Sequence, residues 1–106
     1  RPFRQALALY QQLHDRHLRG EISTADYLHH SNELLKRLVI FGIGHPRARR
    51  ANDSEWLAVL DDISNSRAFT EGPGSALGNQ RFSAAADADV AALHPVLLRF
   101  FETARP

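Results

Sequence analysis

Four stretches of this sequence carry apolar residues at helical spacing, and each is separated from the next by glycine or proline. In the first, Phe3, Leu7, Tyr10, Leu13 and Leu18 follow one another at intervals of three to five, with Ala6 and Leu9 filling in. That period predicts an amphipathic helix over Phe3–Leu18, with Gly20 placed to cap its end. Ser23-Thr24-Ala25-Asp26 signals a second start, because a hydroxyl accepts from the orphan amides and Asp26 suits the positive end of the dipole. Its stripe is Tyr27, Leu28, Leu34, Leu35, Leu38 and Val39, with Ser31 on the same side, and the helix is expected to run to about Phe41. The apolar run Leu38-Val39-Ile40-Phe41 is of core size. Gly42-Ile43-Gly44-His45-Pro46 must then be a loop, since two glycines and an X-Pro bond resist both helix and strand.

Arg47-Ala48-Arg49-Arg50 follows, before Asn52, Asp53 or Ser54 caps a third helix with Glu55 in its first turn. Trp56, Leu57, Leu60 and Ile63 are expected to face inward, Val59 to flank them, and Asp61-Asp62 to point to water. From Ser64 to Ala86 the period is lost. Gly72-Pro73-Gly74 and Gly78-Asn79 must turn, Pro73–Leu77 suits a single helical turn, and Phe69, Leu77 and Phe82 are expected to pin this connector to the core. Asp87 is expected to cap a last helix with Val90, Leu93, Leu97, Phe100 and Phe101 along its buried stripe. Pro95 inside that span means a start near His94 or a bend. The expected architecture is an all-α domain over 1–106: a small bundle of about four helices with a long ordered connector before the last.

Composition narrows the chemistry. Thirteen basic residues against twelve acidic give a net charge of +1, so there is no overall field to gather nucleic acid. The absence of cysteine removes disulfides, thiolate nucleophiles and thiolate zinc sites. Valine and isoleucine number only eight, too few for a sheet-dominated fold. No run approaches the roughly 20 apolar residues of a membrane span.

Three constellations could carry chemistry. His14 and His17, three apart, share a helix face and could reach one metal ion, which would make a histidine-metal enzyme the third functional reading. The adjacent His29 and His30 diverge by about 100° on a helix, so one of them at most could join a site. Both pairs are more simply polar-face residues, and no metal or cofactor is expected. Arg47, Arg49 and Arg50 could grip phosphates or nucleic acid, the second reading, although the aromatics stand at core spacing rather than among the arginines. They serve a protein-docking patch equally well. Gly72-Pro73-Gly74 is a rigid turn that either shapes the fold or presents a contact surface. Trp56 reads as a core anchor. Neither a Gly-X-Ser-X-Gly elbow nor a phosphate loop is present, and Asp61-Asp62 and Asp87/Asp89 read as an exposed face and a helix start.

Ser54-Glu55-Trp56-Leu57-Ala58-Val59-Leu60-Asp61, followed by Phe69-Thr70-Glu71-Gly72-Pro73-Gly74, resembles the C-terminal domain of an uncharacterised bacterial membrane-protein family. That family is encoded beside MoxR-type AAA+ ATPases and von Willebrand factor A-domain proteins. Its members show a Trp-Leu-x-x-Leu-Asp helix, a Phe-x-x-Gly-Pro-Gly turn, an aromatic where Phe82 stands here, and a final helix. The opening Arg1-Pro2-Phe3-Arg4-Gln5-Ala6-Leu7 resembles the junction after the family's membrane span. The resemblance implies a single-pass inner-membrane protein whose span precedes Arg1, as the start without methionine would fit, with Arg1 and Arg4 favouring the cytoplasmic side. It implies a non-catalytic interaction module that works with the ATPase, the A-domain proteins or both in assembly or maturation. Trp56, Leu57, Leu60 and Phe69 would be core residues; Arg47, Arg49, Arg50, Gly72, Pro73 and Gly74 are the candidate partner contacts. No small-molecule substrate and no nucleic acid is expected.

Overall fold

Three side chains set where three of the helices begin. The computed structural model describes residues 1–82 and 87–106. Ser23 accepts from the Asp26 amide at 3.0 Å, Asn52 from Glu55 at 2.9 Å and Asp89 from Ala92 at 3.0 Å. The helices are α1 (Pro2–Leu18), α2 (Thr24–Arg37), α3 (Asp53–Ser64) and α4 (Val90–Thr103). The cap of α4 is therefore Asp89, two residues beyond the expected Asp87. Pro95 neither starts that helix nor breaks it. The bond it cannot make would have gone to the carbonyl of Ala91, an exposed residue whose oxygen water can satisfy.

At the other end of α2 the helix passes into a π-helical segment, Leu38–Ile43, which ends at Gly44 in the left-handed region (φ 74°). Two amides, of Gly44 and His45, converge on the Val39 carbonyl at 2.9 and 3.1 Å. The helical path thus reaches Ile43, past the expected stop. Leu38 and Val39 are buried, but Phe41 is 73% exposed, so the apolar run is core only in its first half.

α1 packs against α2 and α4, and the 3-10 turns Pro73–Leu77 and Asn79–Phe82 fill the space beside α2, α3 and α4. The domain is all-α, and among the described residues there is no strand. One core holds Tyr10, Tyr27, Leu35, Val59, Phe69, Leu97 and Phe101, with Trp56 between α3 and α2. The radius of gyration, 12.6 Å, is close to the roughly 13 Å expected for a compact chain of this length.

Several side chains depart from the stripes read in the sequence. Val59 is buried while Leu57 and Ile63 are only half-buried, Leu57 lying not in the core but at its margin beside Gly78 of the connector. Leu18 is 69% exposed, at the last turn of α1 where the chain leaves the core. Asp61 does not point to water. Its carboxylate accepts from the amides of Phe69 (2.8 Å) and Thr70 (3.3 Å) and from the Thr70 hydroxyl, and so ties the connector to α3.

Phe82 does not pin the connector either. It is 67% exposed, and Arg81 takes the inner place instead. The Arg81 guanidinium donates to the carbonyls of Leu77 and Gly78, both at 2.6 Å, and to Asp53 at 3.0 Å, while the Phe82 ring lies 4.1 Å from it. Three acceptors satisfy the buried cation, a site that an apolar ring would leave with orphaned carbonyls. The connector's end at Ala86 falls outside the described residues.

Candidate functional site

Arg47, Arg49 and Arg50 all lie exposed on the loop between the π segment and α3. His45 organises this loop: its Nδ1 accepts from the Arg47 amide at 3.2 Å, and its Nε2 is 3.1 Å from Asp62. Arg47 approaches the same Asp62 oxygen at 3.9 Å. The guanidinium of Arg49 instead covers the Phe41 ring, 5.3 Å from its centroid. The three arginines therefore do not form one grip, because one leans to α3 and one to the π segment.

Gly72-Pro73-Gly74 is packed inward except at exposed Pro73. The Gly74 amide donates to the Ala68 carbonyl at 2.8 Å. A Cβ on Gly74 would stand 2.5 Å from the Phe69 ring and 2.8 Å from the Ala68 oxygen, and one on Gly72 would stand 2.9 Å from that oxygen. The glycines are there because the chain doubles back on Ala68-Phe69 with no room for a side chain.

The shared face of His14 and His17 is divided between two neighbours. His17 hydrogen-bonds the Thr24 hydroxyl at 3.1 Å, whereas His14 stacks on His94 of α4, centroids 3.5 Å apart and rings 3° from parallel. His29 and His30 are both exposed, with ring centroids 5.6 Å apart. Among the described residues no three His, Asp or Glu side chains are grouped to hold a metal ion.

His94, half-buried, joins a relay whose two tyrosines are buried. Its Nδ1 lies 2.7 Å from the Tyr10 hydroxyl, which lies 2.6 Å from the Tyr27 hydroxyl. The arrangement is satisfied when Tyr27 donates to Tyr10 and Tyr10 donates to a neutral His94 carrying its proton on Nε2. Burial, and then the bond to Tyr27, raise the Tyr10 pKa; burial lowers that of His94. Burial also lowers that of His14, the facing His94 lowers it further, Asp15 opposes the shift and His17 adds to it. The folded chain thus binds fewer protons at this pair than the unfolded chain does, so stability is complete above the ordinary imidazole value of 6.5 and falls as pH drops below it. Urea midpoints are expected to be flat from about pH 7 to 8 and to decline below about 6.5, with a shallower decline in His14→Phe, which keeps the stack but not the charge. An equal decline in the variant would assign the acid sensitivity elsewhere.

The outer seam between α1 and α2 holds what the sequence reading missed. Leu9, Leu34, Leu38 and Phe41 line an open groove of about 430 Å³, with Ala6 on its floor and Arg37 at its edge. Beyond Leu9, Leu34 and Arg37 it continues into a second hollow of about 290 Å³ toward Arg16, His30 and Glu33. Leu9 is 38% exposed and Phe41 73%, so this is apolar surface presented rather than buried. One signal was available: Leu9 lies two residues from Leu7, off the inward stripe of α1.

Comparison with curated proteins and with solved structures finds no match. A family model, described as a domain of unknown function, matches residues 1–102, nearly the whole chain. The chain belongs to that family, DUF4381.

Proposed function

We propose that this domain is a non-catalytic protein-interaction module of a membrane-anchored bacterial protein. In this reading it works with a MoxR-type AAA+ ATPase, von Willebrand A-domain proteins, or both, in assembling or maturing protein complexes. The observation that carries the reading is the α1–α2 groove, where Leu9 and Phe41 stand exposed beside a cleft of about 430 Å³. A chain gains nothing in its own stability from such surface, and apolar patches of this kind mark contact sites. The ordered histidines support the reading from the other side, since His14, His17 and His94 are engaged in stacking or hydrogen bonds that hold helices together.

No helix among the described residues is long and apolar enough to cross a membrane. The anchor this reading requires would precede Arg1, in the inner membrane, with the domain on the cytoplasmic side. Purification of the full-length protein from membranes in mild detergent is expected to recover a MoxR-type ATPase or an A-domain protein in stoichiometric amount. Recovery of neither would overturn the assignment of partners.

A further inference from the structure

The α1–α2 groove has a shape and a charge that favour one kind of occupant. Its two hollows share Leu9, Leu34 and Arg37 and form one trough along the seam from Pro2 to Arg16. At 1.5 Å per residue that stretch of α1 is about 21 Å long, or about four helical turns. Both walls are helices, so there is no sheet edge whose amides and carbonyls could pair with an extended strand. A strand laid here would lose water from its backbone and gain no partner. A helix brings its own backbone bonds satisfied and seats its side-chain ridge in the furrow between two others.

Two cations, Arg37 and Arg16, and one carboxylate, Glu33, line the trough, and a third cation, Arg49, lies over the Phe41 ring at its end. Arg37 stands where the two hollows meet, Arg49 covers the outer face of Phe41, and Arg16 closes the far end. Against them stands Glu33. Arg16 shares Glu21 at 3.6 Å, but among the described residues no carboxylate lies within ion-pair distance of Arg37 or Arg49. Their charge is available to an incoming ligand. The wide turn of the π segment carries Phe41 at this site, and π turns in helices frequently occur at functional sites.

We infer that the groove binds an acidic amphipathic helix of a partner protein, apolar residues at i, i+3 or i+4 and i+7 entering between Leu9, Leu34 and Phe41, and carboxylates meeting Arg37 and Arg49. The inference builds on the interaction-module reading but not on which partners that reading names.

The test uses the purified domain and a synthetic helical peptide of about 18 residues with leucine at those positions and glutamate beside them. A second peptide carries lysine in place of every glutamate. The glutamate peptide is expected to bind, at least about tenfold more tightly than the lysine peptide, and to weaken several-fold between about 50 and 200 mM salt. Phe41→Asp, at a site too exposed to affect folding, is expected to weaken it by about tenfold or more. The double variant Arg37→Glu/Arg49→Glu, with helicity unchanged by circular dichroism, is expected to reverse the preference toward the lysine peptide. Three results overturn the inference: equal binding or no binding of the two peptides; Phe41-dependent binding to anionic phospholipid vesicles in its place, which would assign the groove to a membrane surface; and self-association that buries Phe41, which would assign it to a second copy of the chain. Failure to recover an ATPase or A-domain protein from membranes, with glutamate-peptide binding intact, would remove the named partners and leave the groove's chemistry standing.

Discussion

Trp56→Ala is expected to cost about 3–5 kcal/mol of folding stability, the range for deleting a large aromatic from a core. Trp56 is 1% exposed, and its indole nitrogen donates to the Asn32 Oδ1 at 2.7 Å. The substitution leaves a cavity between α3 and α2 and an unpaired amide oxygen within it. Both losses fall on the same contact, which is the buried side-chain bond between α3 and α2. Because a domain of this size loses about 4–8 °C of melting temperature per kcal/mol, the variant's midpoint should fall by at least about 12 °C. Trp56→Phe keeps most of the ring and forfeits the bond, at a cost of about 1–3 kcal/mol. Urea denaturation of the two variants checks both values. A loss under about 1 kcal/mol for the alanine variant would mean that α3 is held by other contacts.

Gly74→Ala is the second large effect, and it separates architecture from docking in the Gly72-Pro73-Gly74 turn. The added methyl would lie 2.5 Å from the Phe69 ring and 2.8 Å from a backbone oxygen, so the chain itself must shift. Overpacking of this kind costs about 1–3 kcal/mol or more. Pro73→Ala, at the exposed apex, should cost only the backbone restriction lost, about 0.4–1 kcal/mol. If the turn is architectural, chemical denaturation separates the two variants and partner binding by the folded fraction is the same in both. Equal stability with binding lost in Pro73→Ala would return the turn to the role of a partner contact.

The helices were legible because their signals are local. A hydroxyl, carboxamide or carboxylate before three of the starts, a proline at the first, a glycine after the first helix and a helical period sufficed for four elements. The errors lie where two neighbouring residues compete for one place. Asp87 and Asp89 both suit a cap, and it is Asp89 that accepts from the Ala92 amide. Arg81 and Phe82 compete for the interior of a 3-10 turn; the usual rule sends the ring inward, but the free carbonyls of Leu77 and Gly78 and the carboxylate of Asp53 favour the guanidinium. Asp61 read as solvent-facing because the amides it accepts from, those of Phe69 and Thr70, are eight and nine residues away and come back only through the reversal at Asn65, in the left-handed region (φ 51°) after α3.

The candidate site was less legible for a related reason. Arg47, Arg49 and Arg50 stood out as a run, yet a run on a loop does not disclose which way each side chain leans. Arg49 gains its interest from Phe41, eight positions earlier, and Phe41 was hidden inside an apolar run of apparent core character. The groove belongs to two helices at once, so neither periodicity alone reveals it. The histidines show the converse. His14 and His17 have ligand spacing, but the partner that claims His14 is His94, from the far end of the chain.

Docking of a protein in the α1–α2 groove is read most directly by nuclear magnetic resonance of the labelled domain titrated with either proposed partner, an A-domain protein or a MoxR-type ATPase. Amide shifts and line broadening are expected to gather at Leu9, Leu34, Arg37, Phe41 and Gly42 and to disappear in Phe41→Asp. Perturbations confined to the Tyr10–His94 relay or to the Arg47–Arg50 loop, or a spectrum unchanged by either protein, would contradict it.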